Sequence, residues 1–364
     1  MYFKNLDPLR GFLALVVVIF HLNAFSSNQG LLSLPVLPFL NKGSEAVLVF
    51  FTLSGYLIIG QLWQEKRDTG KIAIGNFYLR RMLRLYPVYY AVLLVGLVTY
   101  YFLFPNLELA STPDCDIGQA LLLNIAFLPN VFKHVCDPGS ILTILWSIGI
   151  EEQFYLVIAP IFALLPSRRS LFTLAAFTIL YFVVFHHPTS QILRDYIMVF
   201  FFMSAGGTMA ITSKLGYQLY GTNRASKWSI YVLFFAIFLT NLFSFEQDAL
   251  KHGVYLLCFS LLIPTLAHDS DFKGVNRWTV ALGKYSFGIY MYHMIIINCV
   301  LMVSSKLLAF GLRSELVFAF NWISTIGLTV LTAYLSYTHF EMPFLKLKNR
   351  FRGASLGSKL RKAP

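Results

Sequence analysis

LDPLRGFLALVVVIFH, residues Leu6–His21, carries an aspartate, an arginine and a histidine into an apolar run. Asp7, Arg10, Ala14 and His21 recur at steps of three, four and seven, so a helix of 3.6 residues per turn gathers them on one face. Arg10 and His21 are eleven residues apart, about 16 Å along a helix at about 1.5 Å per residue. A bilayer core is about 30 Å thick. With Arg10 at one membrane surface, His21 reaches the midplane, where an ionisable side chain is costly and marks a functional candidate. The plainer alternative is an interfacial anchor followed by a buried histidine bonded to a neighbouring helix.

The rest of the chain has the composition that such a span requires. Hydrophobic residues make up 57%, charged residues only 13%, and the mean hydropathy is +0.65. A soluble domain has about twice that charged fraction. The sequence therefore predicts an all-α polytopic membrane protein. The net charge of +12 does not point to nucleic acid, because the basic residues lie between apolar runs and act first as topology signals. Nothing before Leu6 has the basic leader and short apolar core of a cleavable signal peptide, so the first span is expected to stay in the protein.

Hydropathy predicts ten spans, near 12–29, 44–63, 86–104, 141–165, 170–186, 193–212, 228–245, 252–267, 285–303 and 316–338. With the N-terminus in the cytosol, 23 of the 29 basic residues fall in cytosolic parts and six in outer parts. That asymmetry predicts ten transmembrane helices with both termini cytosolic. A membrane domain over 1–345 and a basic cytosolic tail over 346–364 are the expected divisions. The longest outer segment is Pro105–Ser140. Its apolar middle, Gly118–Phe132, is too short for a span and reads as one re-entrant or interfacial helix. Cys115 and Cys136 lie in this segment. On an oxidising side of the membrane they are candidates for a disulfide, whose geometry sequence does not give. Cys258 and Cys299 sit in apolar runs and read as core residues.

Three further stretches place chemistry in apolar surroundings. In NFYLRRMLRLYPVYY, Asn76–Tyr90, the i,i+3 and i,i+4 spacing of Arg80, Arg81 and Arg84 lets all three address one anion. Pro87 is expected at a helix start. Arginine suits phosphate through its planar fork of donors; the alternative is a topology anchor. In WSIGIEEQFYL, Trp146–Leu156, Ser147, Glu151 and Tyr155 share a face, and Glu151 and Glu152 point about 100° apart, so at least one carboxylate faces the protein interior. The alternative there is a buried glutamate paired with an arginine of another helix. In LGKYSFGIYMYH, Leu282–His293, Gly283, Ser286, Tyr290 and His293 share a face, and His293 rivals His21 as the intramembrane histidine. Ser54 and Gly55 are small enough for close helix approach. No histidine spacing makes a metal site, and no Walker loop or nucleophile elbow occurs.

The order and spacing of these segments resemble membrane-bound acyltransferase family 3, bacterial proteins that O-acylate sugars. The resemblance covers nearly the whole chain. It rests on Arg10 and His21, FFTLSGYLI at Phe50–Ile58, Arg80–Pro87, Trp146–Leu156, Leu282–His293 and HFEMPF at His339–Phe344. It implies a multi-pass protein of the bacterial inner membrane. Cytosolic acyl-CoA, with acetyl-CoA expected, is the co-substrate; no cofactor is permanently bound, and the acceptor is a glycan hydroxyl. Residues and resemblance together give roles. Arg10, Arg80, Arg81 and Arg84 hold the acyl-CoA phosphates, His21 is the general base, with an acyl-carrying His21 as the alternative, and Glu151 orients base or acceptor. Ser54, Trp146, Glu152, Ser286, Tyr290 and His293 are substrate-binding candidates. The chain departs from the family pattern at Leu48, where many relatives carry an acidic residue. It is also too short for the extracytoplasmic domain that many relatives carry, so transfer is expected within the membrane domain. The alternative function is a transporter or flippase of an acyl or glycan-lipid substrate, without chemistry.

Overall fold

The computed structural model describes residues 2–35, 37–107, 113–243, 245–348 and 351. Most of the expected tail lies outside the described residues. Twelve principal helices follow in chain order: α1 Leu6–Asn28, α2 Gly43–Thr69, α3 Ile74–Val98, α4 Ile117–Ile125, α5 Pro129–Cys136, α6 Trp146–Leu164, α7 Ser167–His186, α8 Phe200–Lys214, α9 Arg224–Leu239, α10 Asp248–His268, α11 Arg277–Ala309 and α12 Ser314–Leu335. No strand occurs among the described residues. A helix satisfies its backbone polar groups internally, which is what an apolar chain in lipid requires.

Among the described residues, eight helical segments are long and apolar enough to cross a membrane, so the chain is a multi-pass membrane protein. The sixth and seventh spans expected from hydropathy coincide with α8 and α9, of 15 and 16 residues. Each is only about 22–24 Å long. The third expected span begins too late. Helix α3 starts at Ile74 and runs through Pro87, so that proline lies inside a helix and not at its start. The arginines therefore belong to the same rigid rod as the apolar half. The expected single helix Gly118–Phe132 is two, α4 and α5. Phe127 takes a left-handed backbone (φ 57°) between them, and Pro129 opens α5.

The chain divides into two compact units, one of residues 51–219 with the segment from His339, the other of residues 2–50 with 220–338. The division falls within α2.

In the unit of residues 2–50 and 220–338, α1 packs on α11, and α11 on α12. Backbone meets backbone at one point. A Cβ added to Gly283 would lie 2.3 Å from the Asp7 carbonyl oxygen, and one added to Gly11 would lie 2.8 Å from Leu282 Cβ. Only glycine permits this approach. Further along, Ala14 and Val18 pack with Ile289 and Ala333. Sequence numbers rise together on α1 and α11 through these contacts, so the two helices run parallel.

In the unit of residues 51–219, α2 and α8 touch in the same manner. A Cβ on Gly55 would fall 1.8 Å from the Met203 carbonyl oxygen, and one on Gly206 would fall 2.0 Å from that of Thr52. The close approach expected at Ser54–Gly55 is thus present. Lys66 near the end of α2 donates to the carbonyls of Phe162 and Ala163, each at 2.8 Å, and of Leu165. Those are carbonyls at the end of α6 that a helix terminus leaves without partners. Asp116 caps α4 through the amides of Gly118 and Gln119. The Cys115–Cys136 disulfide is formed and ties α4 to the end of α5.

Candidate active site

The parallel register of α1 and α11 brings His21 and His293 together. Both lie ten residues beyond the Gly11–Gly283 contact, about 15 Å along their helices. Their ring centroids are 5.1 Å apart with planes tilted 36°. Two residues that read as rivals are one pair. His293 is fully buried, its Nδ1 is 2.5 Å from the Tyr290 carbonyl oxygen, and its Nε2 has no partner. His21 is half-buried, with Phe20 and Phe25 beside its ring. The Ser286 hydroxyl donates to the Gly283 carbonyl, and the Tyr290 ring lies 5.7 Å from His293. These two support the pair from α11, as their shared face predicts.

Arg10 sits one turn from Asp7, and its Nη1 donates to Asp7 Oδ1 at 2.9 Å. The Tyr2 hydroxyl donates to the other carboxylate oxygen. Asp7 is buried, so Arg10 compensates a charge that would otherwise be costly there.

The second cluster lies within the unit of residues 51–219. Glu151 Oε2 accepts from the Tyr155 hydroxyl at 2.9 Å and from Ser54 Oγ at 3.2 Å, and Ser54 and Tyr155 also bond to each other. The face predicted for Glu151 and Tyr155 is realised, with a serine of α2 added to it. Glu152 is buried and Oε1 has no partner; its Oε2 is 3.5 Å from the Tyr86 hydroxyl. Arg81 is buried, and its Nε has no partner. It lies within electrostatic reach of both glutamates and of Arg84, which is exposed. Neither glutamate forms an ion pair with an arginine among the described residues, so the plain pairing considered for them is not what holds them. A buried guanidinium, a buried carboxylate and a half-buried one, the carboxylates bonded to hydroxyls, form a site of high electrostatic cost in a membrane span.

Arg80 is placed differently from its neighbours. Its Nη1 donates to the Phe351 carbonyl at 2.8 Å, and its Nη2 to Glu65 Oε2 at 3.3 Å. Trp146 stands between Phe51, with ring centroids 5.8 Å apart, and Lys133, whose Nζ lies 5.2 Å over the indole. Burial pushes the Lys133 ammonium below its usual pKa. Sequence reasoning missed Tyr86 and Lys133. The first has a usable signal, since it lies two residues beyond Arg84 on α3. The second has none, because its helix was expected elsewhere. No group of three metal-ligating side chains occurs among the described residues.

A family model described as an acyltransferase domain matches residues 3–340. Among characterised proteins, the O-acetyltransferase OatA of Staphylococcus aureus strain NCTC 8325 is 26% identical over 383 residues, covering 95% of this chain and 57% of that protein. A putative O-acetyltransferase of S. aureus strain COL is 26% identical over 385 residues, covering 95% of this chain and 58% of that protein. The chain thus spans little more than half the length of the relatives it matches. No solved structure matches it.

Proposed function

Because the chain belongs to acyltransferase family 3, we propose that it is a membrane O-acetyltransferase, moving acetyl from cytosolic acetyl-CoA to a hydroxyl of an exported or cell-surface glycan across the bacterial inner membrane. The names of its relatives support O-acetylation. The observation that carries the chemistry is the pair of imidazoles in an apolar bundle, a fully buried His293 beside a half-buried His21.

In this reading His21 is the general base. It takes the proton of the acceptor hydroxyl as that oxygen attacks the thioester carbonyl. A C–O bond forms, the tetrahedral oxyanion collapses and the C–S bond breaks. The imidazolium returns the proton to the departing CoA sulfur, so the base is regenerated with no net proton change. A thioester is already activated, so a positioned base supplies what the step lacks.

Arg81 and Arg84 are assigned to the phosphates of the donor. Arg81 is buried and offers an unpartnered donor, and a guanidinium matches phosphate through paired N–H groups. Arg10 and Arg80 each hold a carboxylate, Asp7 and Glu65, and contribute positive charge at their own positions. Glu151, held at Oε2 by Ser54 and Tyr155, orients the acceptor. Glu152, Trp146, Ser286 and Tyr290 complete the set of binding residues.

The test is direct. The full chain in lipid nanodiscs is mixed with acetyl-CoA and a panel of methyl glycosides. Free CoA thiol and acetylated glycoside are measured together. Equal amounts of both are expected. A transporter without chemistry would release no CoA, and that outcome would sink the reading.

A further inference from the structure

His293 Nε2 is a fully buried acceptor with nothing donating to it. Its tautomer is set by its other nitrogen. Nδ1 faces the Tyr290 carbonyl oxygen at 2.5 Å, and a carbonyl only accepts, so the proton resides on Nδ1 and Nε2 presents a lone pair. Whatever reaches Nε2 during the reaction must bring an O–H or N–H. The thioester carbonyl and the phosphates of the donor are acceptors and do not suit it.

The His21 ring lies 5.1 Å away. On the proposed acyltransferase reading, on which this inference rests, the reacting hydroxyl gives its proton to His21. A hydroxyl has one hydrogen and cannot also satisfy His293. A second donor is required, and because the two rings are neighbours it must lie close to the first. Neighbouring hydroxyls of a sugar ring meet this condition. We propose that His293 Nε2 receives the hydroxyl vicinal to the one acylated, so that the enzyme selects vicinal diols over isolated alcohols. The vicinal O–H keeps its proton throughout; it only holds the sugar in register while its neighbour reacts. His293 is thus a specificity-determining residue for the acceptor. Leaving a buried acceptor without its donor is the kind of mismatch by which a polar site rejects the wrong substrate.

The experiment compares trans-1,2-cyclohexanediol with cyclohexanol as acceptors for the full chain in lipid nanodiscs with acetyl-CoA, reading CoA release and ester product. After correction for its two equivalent hydroxyls, the diol should show a kcat/KM about tenfold or more above cyclohexanol. In His293→Ala that ratio should fall to about 1, whereas His293→Gln, whose amide oxygen accepts near the position of Nε2, should retain part of it. Tm in detergent reports whether each variant is folded, and the wild-type comparison needs no variant. Equal kcat/KM for the two alcohols in the wild type would overturn the proposal, since Nε2 would then be served by a water. So would an undiminished ratio in folded His293→Ala. Transfer to neither alcohol would count against the acyltransferase reading itself, and the proposal would fall with it.

Discussion

The histidine pair and the arginine–glutamate cluster both set polar side chains among apolar helices, yet they are built on opposite principles. The pair is two imidazoles fixed by backbone contact. Glycines 11 and 283 bring two parallel helices together, and the imidazoles meet because each is the same distance beyond that contact. The cluster is ionic chemistry cushioned by hydroxyls, with Ser54 and Tyr155 on Glu151 and Tyr86 beside Glu152. An imidazole has a neutral form that carries little electrostatic cost in an apolar bundle. Charges in the same surroundings persist only when something offsets them, and Arg81 and Glu152 each retain a polar atom without a partner. The first arrangement suits proton transfer. The second suits a charged or highly polar ligand that completes it.

The largest effect is expected from removing the base. His21→Ala should lower single-turnover acetyl transfer at saturating acetyl-CoA by about 10²–10⁴-fold, the usual contribution of a general base, with binding of acetyl-CoA retained. A turnover close to wild type in a folded His21 variant, alongside a folded but dead His293 variant, would reverse the assignment.

Next in size is the effect on the donor. Arg81→Ala should raise the KM for acetyl-CoA by about 10–100-fold, because a hydrogen bond to a charged group is worth about 1.5–3 kcal/mol. Arg81→Lys should recover only part of this, since an ammonium lacks the planar fork. An unchanged KM in both would leave Arg81 as a topology anchor, and the contrast between the two clusters would lose its functional meaning.

Sequence made the helical architecture legible because the length and hydropathy of a span are local properties. It also gave the faces on which Glu151 joins Tyr155 and on which Ser286, Tyr290 and His293 align, since both follow from helical spacing. The helix through Pro87 was not legible. A proline breaks the i→i−4 ladder at one position and so resembles a start, whereas packing holds α3 continuous from Ile74. The break at Phe127 escaped notice for the opposite reason, as a left-handed phenylalanine carries no glycine to announce it. The meeting of His21 with His293 depends on which helices are neighbours and in which direction they run. No single stretch encodes that, although Gly283 already lay on the same face as His293.

The packing that creates the pair is testable by itself. Gly283→Ala places a methyl group 2.3 Å from the Asp7 carbonyl oxygen, so α1 and α11 must separate. The expected cost is about 1–3 kcal/mol, read as a lower Tm, with reduced transfer because His21 shifts relative to His293. Gly327→Ala is the matched control. It lies on α12 in the same unit with open space at the Cβ position, and alanine there favours a helix by up to about 1 kcal/mol. Equal Tm values for the two variants would show that the α1–α11 contact does not fix the register.

The smallest effect is expected at Arg80, and it separates a binding arginine from a structural one. Spacing alone puts Arg80 and Arg84 on one face and treats Arg80, Arg81 and Arg84 as equals. The structure does not. Arg80 holds Glu65 and the Phe351 carbonyl, whereas Arg81 is buried with its Nε unpartnered. The Arg80–Glu65 ion pair, with side chains 12% and 17% exposed, keeps enough access to solvent to contribute only about 1 kcal/mol, so Arg80→Ala should change the KM for acetyl-CoA by less than about threefold and lower Tm slightly. Glu65→Gln should reproduce the change in Tm without moving KM. Measured at low and high ionic strength, KM in the Arg80 variant should track wild type, while KM in the Arg81 variant should lose part of its salt dependence because one phosphate contact is gone. If Arg80→Ala instead raises KM as far as Arg81→Ala does, then Arg80 leaves Glu65 when the donor binds, and all three arginines share one anion as their spacing allows.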